Sequence, residues 1–128
     1  MIEHDNAPLI VCADDDADIR ELVHFGLGTF GYRVVFAADG SEALRLAESW
    51  HPSLLILDVA MPGLDGLEVT RRLRSDEHTS DIPIVLLTAR VQAADVREGY
   101  AVGADAYIKK PFSLDELNRE VQRLLETP

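Results

Sequence analysis

A chain of 128 residues, 47% hydrophobic and 27% charged, has the size and composition of one soluble globular domain (1–128) that buries about two-thirds of its unfolded surface. Its 12 Lys and Arg against 23 Asp and Glu, net charge -11, leave no basic face for direct nucleic-acid binding. No run approaches the roughly 18 apolar residues of a membrane span, the opening "MIEHDNAPLI" has no basic leader, and a single cysteine forms no intrachain disulfide, so the expected location is cytoplasmic.

The first predicted strand is 8–13 (PLIVCA), where Cys12 packs as a small hydrophobe. Ile19, Leu22, Val23, Leu27 and Phe30 then share a face at helical spacing, with Gly31 as a stop. A second strand, 33–37 (RVVFA), ends in what reads as a plain Asp39-Gly40 turn. It is followed by a helix on Ala43, Leu44, Ala47 and Trp50 that Pro52 terminates. The third strand is 53–57 (SLLIL), and Val69 and Leu73 mark a third helix with Arg71, Arg72 and Arg74 in solvent. The fourth strand is 83–87 (PIVLL), and 91–101 is an Ala-rich helix interrupted by Gly99. After a fifth strand, 105–109 (DAYIK), Ser113 and Glu116 form a capping box and Phe112 staples onto Leu117. Leu114, Leu117, Val121, Leu124 and Leu125 supply the last helix's buried stripe.

Near-continuous rather than alternating apolar runs suit strands covered on both faces. Strict alternation with helices implies parallel strands and right-handed crossovers. The expected fold is α/β: a doubly wound, flavodoxin-like five-stranded sheet of order 2-1-3-4-5, with five helices on both faces. Ligands then bind beyond the carboxyl ends of the strands, where strand order reverses.

Those ends carry the chemistry. The first strand runs into Asp14, Asp15 and Asp16, the third ends on Asp58, the fourth on Thr88, and the fifth on Lys109-Lys110-Pro111-Phe112. Two carboxylates ~4 Å apart repel by about 1 kcal/mol in bulk water and several times more when partly buried. A compensating cation is required. An all-oxygen site suits a hard divalent ion, Mg²⁺, and Lys110 is a second, fixed positive charge. Asp16 and Asp65 read as helix caps, Lys109 as a solvated neighbour, Gly63 and Gly66 as loop residues, and His4, His24, His51 and His78 as non-catalytic.

The acidic run at 14–16, "LDVAMPGLDG" at 57–66, "LLTAR" at 86–90 and "YIKKPF" at 107–112 together resemble the receiver domain of two-component response regulators, of the chemotaxis-regulator kind, over essentially the whole chain. The resemblance implies that Asp58 accepts a phosphoryl group from phosphohistidine on a sensor histidine kinase or phosphotransfer protein. It also implies that Asp14, Asp15, Asp58 and the main-chain carbonyl of Ala60 hold Mg²⁺. Thr88 and Lys110 would contact the phosphoryl group, the lysine placed by a cis Lys110-Pro111 bond. Thr88 and Tyr107 would form a switch that remodels the face of the fourth helix, fifth strand and fifth helix, which engages an effector or output domain. Such a protein is a signalling domain and no general enzyme. "GADAY" at 103–107 lacks the paired acids that many DNA-binding regulators carry before this tyrosine, which points away from that subfamily.

A haloacid-dehalogenase-like phosphatase with Asp14 as nucleophile is the rival enzyme, since "DDDAD" contains a D-x-D. Asp18 stands where that motif wants a small residue or threonine. A flavin-binding module is disfavoured by three carboxylates where a phosphate needs donors.

Overall fold

A computed structural model describes residues 7–126, so the reading of His4 lies outside the described residues. Its elements are β1 (Leu9–Ala13), α1 (Ala17–Gly28), β2 (Arg33–Ala37), α2 (Gly40–Trp50), β3 (Leu54–Leu57), α3 (Gly66–Ser75), β4 (Ile84–Thr88), α4 (Ala93–Ala101), β5 (Ala106–Lys109) and α5 (Leu114–Glu126). Every strand agrees with its sequence reading within one residue. The five strands are parallel in the order β2-β1-β3-β4-β5, so β1 and β3 are neighbours, with Val11 opposite Leu55 and Ala13 opposite Leu57.

Because side chains alternate along a strand, the sheet makes two cores. Val11, Ala13, Leu55, Leu57, Ile84 and Leu86 face one side, where Ala43, Leu46 and Ala47 of α2 and Val69 and Leu73 of α3 cover them. Ile10, Cys12, Leu54, Ile56, Val85 and Leu87 face the other, under Val23 and Leu27 of α1 and Leu117 and Val121 of α5. Burial holds the Cys12 thiol up at about 12, so it is an inert packing group.

The caps are local and legible. Asp16 accepts from Asp18 N–H at 2.9 Å, Asp65 from Glu68 N–H at 2.9 Å, and Ser113 Oγ from Glu116 N–H at 3.0 Å. Asp39 is more than a turn residue. It caps α2 by accepting from Glu42 N–H at 2.9 Å, while Gly40 packs so tightly that a Cβ there would lie 1.9 Å from Leu64 O.

Four positions correct the sequence reading. Leu22 is exposed on the outer side of α1, Phe30 lies in solvent beyond that helix's end, and Trp50 is exposed at the end of α2. Arg74 is not solvated. Its guanidinium donates to Gly103 O at 2.9 Å, Ile82 O at 2.7 Å, Ser80 O at 3.1 Å and Asp105 Oδ2 at 2.8 Å, tying α3 to the approaches of β4 and β5. Gly99 has a packing reason: a Cβ there would fall 2.7 Å from the Tyr107 ring. Among the described residues no helix is long and apolar enough to cross a membrane.

Candidate functional site

Parallel pairing brings the carboxyl ends of β1, β3, β4 and β5 to one rim. Asp14 follows β1 directly, and its N–H still donates to Ala37 O of β2 at 3.3 Å. Asp58 follows β3 and donates to Ala13 O of β1 at 3.0 Å. Ladder hydrogen bonds therefore extend one residue beyond each strand and seat both aspartates. Gly66 permits this arrangement on the α3 side, because a Cβ there would meet Asp58 O at 2.4 Å.

Asp14 and Asp58 are buried, 1% and 7% exposed, whereas Asp15 is exposed. One carboxylate oxygen from each of the three lies within 4.8 Å of the others. Lys110 Nζ stands between the two buried groups, donating to Asp14 Oδ2 at 2.7 Å and Asp58 Oδ2 at 2.9 Å. Their other oxygens accept main-chain N–H groups: Asp14 Oδ1 from Asp16 at 3.0 Å, and Asp58 Oδ1 from Ala60 at 3.0 Å. The Lys110-Pro111 bond is cis, and Lys110 N–H donates to Thr88 O at 2.9 Å.

Each of the two buried carboxylates thus has two partners and offers roughly four lone-pair sites, so both retain acceptor capacity toward the exposed side. The donor set is all oxygen, clustered and excess in negative charge. It fits a hard divalent cation and suits neither thiolate- nor imidazole-seeking ions.

The electrostatics agree. Burial raises the Asp14 carboxyl above its ordinary value, helped by the Asp58 charge and opposed by Lys110 and the Asp16 N–H. Burial works against the Lys110 ammonium, but its bonds to Asp14 and Asp58 outweigh that and raise it, so it stays charged.

Thr88 is buried at the end of β4, and its hydroxyl oxygen accepts Arg90 N–H at 3.2 Å. Tyr107, half-buried on β5, donates from its hydroxyl to Arg90 O at 2.5 Å. The Arg90 residue therefore links the two hydroxyls. The sequence reading missed a further cation, Arg20, which donates to Asp14 O at 2.7 Å and fastens the loop that carries the acids. Its sole signal was a basic residue early in the helix that follows them.

Comparisons with known proteins identify the family. The model of the response regulator receiver domain matches residues 10–122. The chain is 47% identical over 116 residues to the response regulator MprA of Mycobacterium ulcerans, covering 91% of this chain and 49% of that protein. It is 43% identical over 118 residues to the DNA-binding dual master transcriptional regulator RpaA of Synechocystis, covering 92% and 49%. It thus spans about half the length of these curated relatives. Among solved structures, the receiver domain of the sensor histidine kinase PA1611 of Pseudomonas aeruginosa aligns with TM-score 0.88 at 32% identity, covering 94% of this chain and 99% of that one. That structure holds a magnesium ion coordinated in its active-site cleft.

Two expectations change. The dehalogenase-like phosphatase finds no support, because the receiver family model matches residues 10–122. The expectation of no link to nucleic acid, drawn from net charge and from "GADAY", conflicts with a relative named as DNA-binding. Net charge describes this domain's own surface and says nothing of a partner or a further domain. By sequence and by fold, the chain belongs to the response regulator receiver domain family of two-component signalling.

Proposed function

We propose that Asp58 is the phosphoacceptor of this receiver and takes its phosphoryl group from phosphohistidine on a sensor histidine kinase or phosphotransfer protein. The observation that carries this reading is Lys110 Nζ seated against both Asp14 and Asp58, 2.7 and 2.9 Å away, at the rim where the strands end. An Asp58 carboxylate oxygen bonds to phosphorus, the P–N bond breaks, and the electron pair leaves on the imidazole nitrogen. Lys110, already at Asp58 Oδ2, neutralises charge on the incoming group, and the Ala60 N–H holds Oδ1 in line. Mg²⁺, held by Asp14, Asp15, Asp58 and the Ala60 carbonyl, would supply the further positive charge that spreading phosphoryl oxygens demand.

Thr88 would donate its hydroxyl to the phosphoryl group, giving up the Arg90 N–H it now accepts. Because Tyr107 holds the carbonyl of that same Arg90, movement of Thr88 carries to Tyr107 and the face of α4, β5 and α5. An effector or output domain reads that face, and the likeness to transcriptional regulators favours an output that acts on DNA through another domain. The domain catalyses only its own phosphorylation and dephosphorylation, in the cytoplasm. Ala60, exposed and without a polar side chain, offers no group to position a hydrolytic water, so the acyl phosphate outlives that of a receiver with a polar residue at this position.

Phosphoramidate, which carries the same P–N bond, tests the assignment. After incubation with Mg²⁺, borohydride reduction of the acyl phosphate and peptide mapping should find homoserine at position 58. Homoserine at 14 or 15 instead, or none anywhere, refutes it.

A further inference from the structure

The rim opposite the acidic cluster carries a second group of metal-ligating side chains. His51 caps the C-terminus of α2 in the left-handed conformation, φ 45° and ψ 65°, with its N–H donating to Ala47 O at 3.1 Å. Buried Pro52 follows it, so the backbone under this imidazole is pinned on both sides. The connection from α3 to β4 is pinned as well. Thr79 Oγ1 donates to Leu73 O at 2.8 Å, Asp76 Oδ1 accepts His78 N–H at 3.0 Å, and Ile82 is buried. These two connections bring His51, His78 and Asp81 together. His51 Nε2 lies 3.5 Å from Asp81 Oδ1, and the His51 and His78 ring centres are 5.6 Å apart at 66°.

Those separations resemble the edges of a tetrahedral metal site. With metal–nitrogen and metal–oxygen bonds of about 2.1 Å, neighbouring ligand atoms stand about 3.4 Å apart and two imidazole centres on one ion about 5.2 Å apart. The observed 3.5 Å matches the first of these, and the 5.6 Å between ring centres puts the second imidazole within reach of the same ion once it turns a nitrogen toward it. As an ion pair the contact explains little, since the two side chains are 46% and 77% exposed. Two histidines and a carboxylate also select differently from the acidic cluster, favouring zinc, nickel or copper over magnesium.

We propose that His51, His78 and Asp81 form a site for a borderline divalent transition ion of the zinc class, with the fourth position open to water. Among the described residues only Asp14, Asp15 and Asp58 already hold three ligand atoms within 4.8 Å, so this site keeps the His51–Asp81 edge as it stands and closes by rotation of the His78 side chain. His78 is exposed, and exposed rotamers exchange in picoseconds to nanoseconds. The ion ties the end of α2 to the approach of β4, at the end of the sheet away from Asp58.

Zinc chloride titrated calorimetrically into the chain, with excess Mg²⁺ competing for the all-oxygen cluster, tests this. One saturable site is expected, with ring-proton resonances of His51 and His78 shifting while those of His24 stay. His51→Asn, which keeps a residue tolerant of the left-handed backbone, and His78→Asn should each weaken zinc at least about tenfold, the lower end of what even an outer-shell partner costs. Asp81→Asn should weaken it too, and Asp58→Asn should bind zinc as the parent does. Absence of saturable binding, or an affinity unchanged in both histidine variants whose circular dichroism is native, overturns the proposal.

Discussion

Lys110→Met removes the ammonium that bridges two buried carboxylates while keeping a flexible stem of similar length. The side chains of Lys110, Asp14 and Asp58 are 16%, 2% and 9% exposed, so solvent screens the cluster little. Two charges ~4 Å apart at an effective dielectric near 20 repel by about 4 kcal/mol, and breaking one partner out of a buried pair costs about 3–5 kcal/mol. The lower end is expected here, about 3 kcal/mol at pH 7 without Mg²⁺, because Asp14 has an alternative. Burial already raises its carboxyl, and losing Lys110 raises it further, so the folded variant takes up a proton where the unfolded chain does not. A group raised in the folded state penalises folding above its folded value and ceases to do so below its unfolded value. The deficit should therefore be largest near neutrality and shrink as pH falls toward the carboxyl's ordinary value. Urea unfolding followed by circular dichroism at pH 7 and pH 5 measures it. Asp14→Asn should recover most of the loss in the double variant, and saturating Mg²⁺ should recover part of it. A deficit below about 1 kcal/mol at pH 7, or one of equal size in the Asp14→Asn background, refutes the reasoning.

Gly66→Ala should cost about 1–3 kcal/mol and slow phosphorylation, because its Cβ would sit 2.4 Å from the Asp58 carbonyl; Gly28→Ala, with nothing within 4 Å, is the control, and equal behaviour of the two contradicts the packing argument. Arg74→Met should cost about 2–3 kcal/mol in urea unfolding, since three main-chain carbonyls and Asp105 lose a charged donor; a change under about 0.5 kcal/mol would show that water replaces it freely. Ala60→Asn should speed loss of the phosphoryl group, measured by phosphate release; an unchanged or slower rate removes the proposed cause of a long lifetime.

What the sequence disclosed and what it hid have different physical origins. The strands were legible because burial on both faces makes them apolar without alternation, and Asp58 and Lys110 because each stands where such a run stops. The caps at Asp16, Asp65 and Ser113 depend on partners two or three residues away, which a local reading sees. Leu22 and Trp50 failed because helical spacing counts apolar residues without saying how wide a stripe the sheet covers, and Phe30 because α1 stops at Gly28. Arg74 and Gly99 failed for a third reason. The arginine meets Gly103 and Asp105, about thirty positions on, and the glycine makes room for the Tyr107 ring, contacts that exist only once α3, α4 and β5 are assembled. Arg20 escaped notice because its partner is a main-chain carbonyl, which no side-chain pattern announces. The exposed His51, His78 and Asp81 likewise met through two connections that sequence spacing does not relate.

Intact-mass measurement after incubation with acetyl phosphate, with and without Mg²⁺, tests the assignment of the acidic rim most directly. The parent chain should gain the mass of one phosphoryl group only when Mg²⁺ is present, and Asp58→Ala should gain nothing. A gain of equal size in Asp58→Ala, or one indifferent to Mg²⁺, would contradict the account.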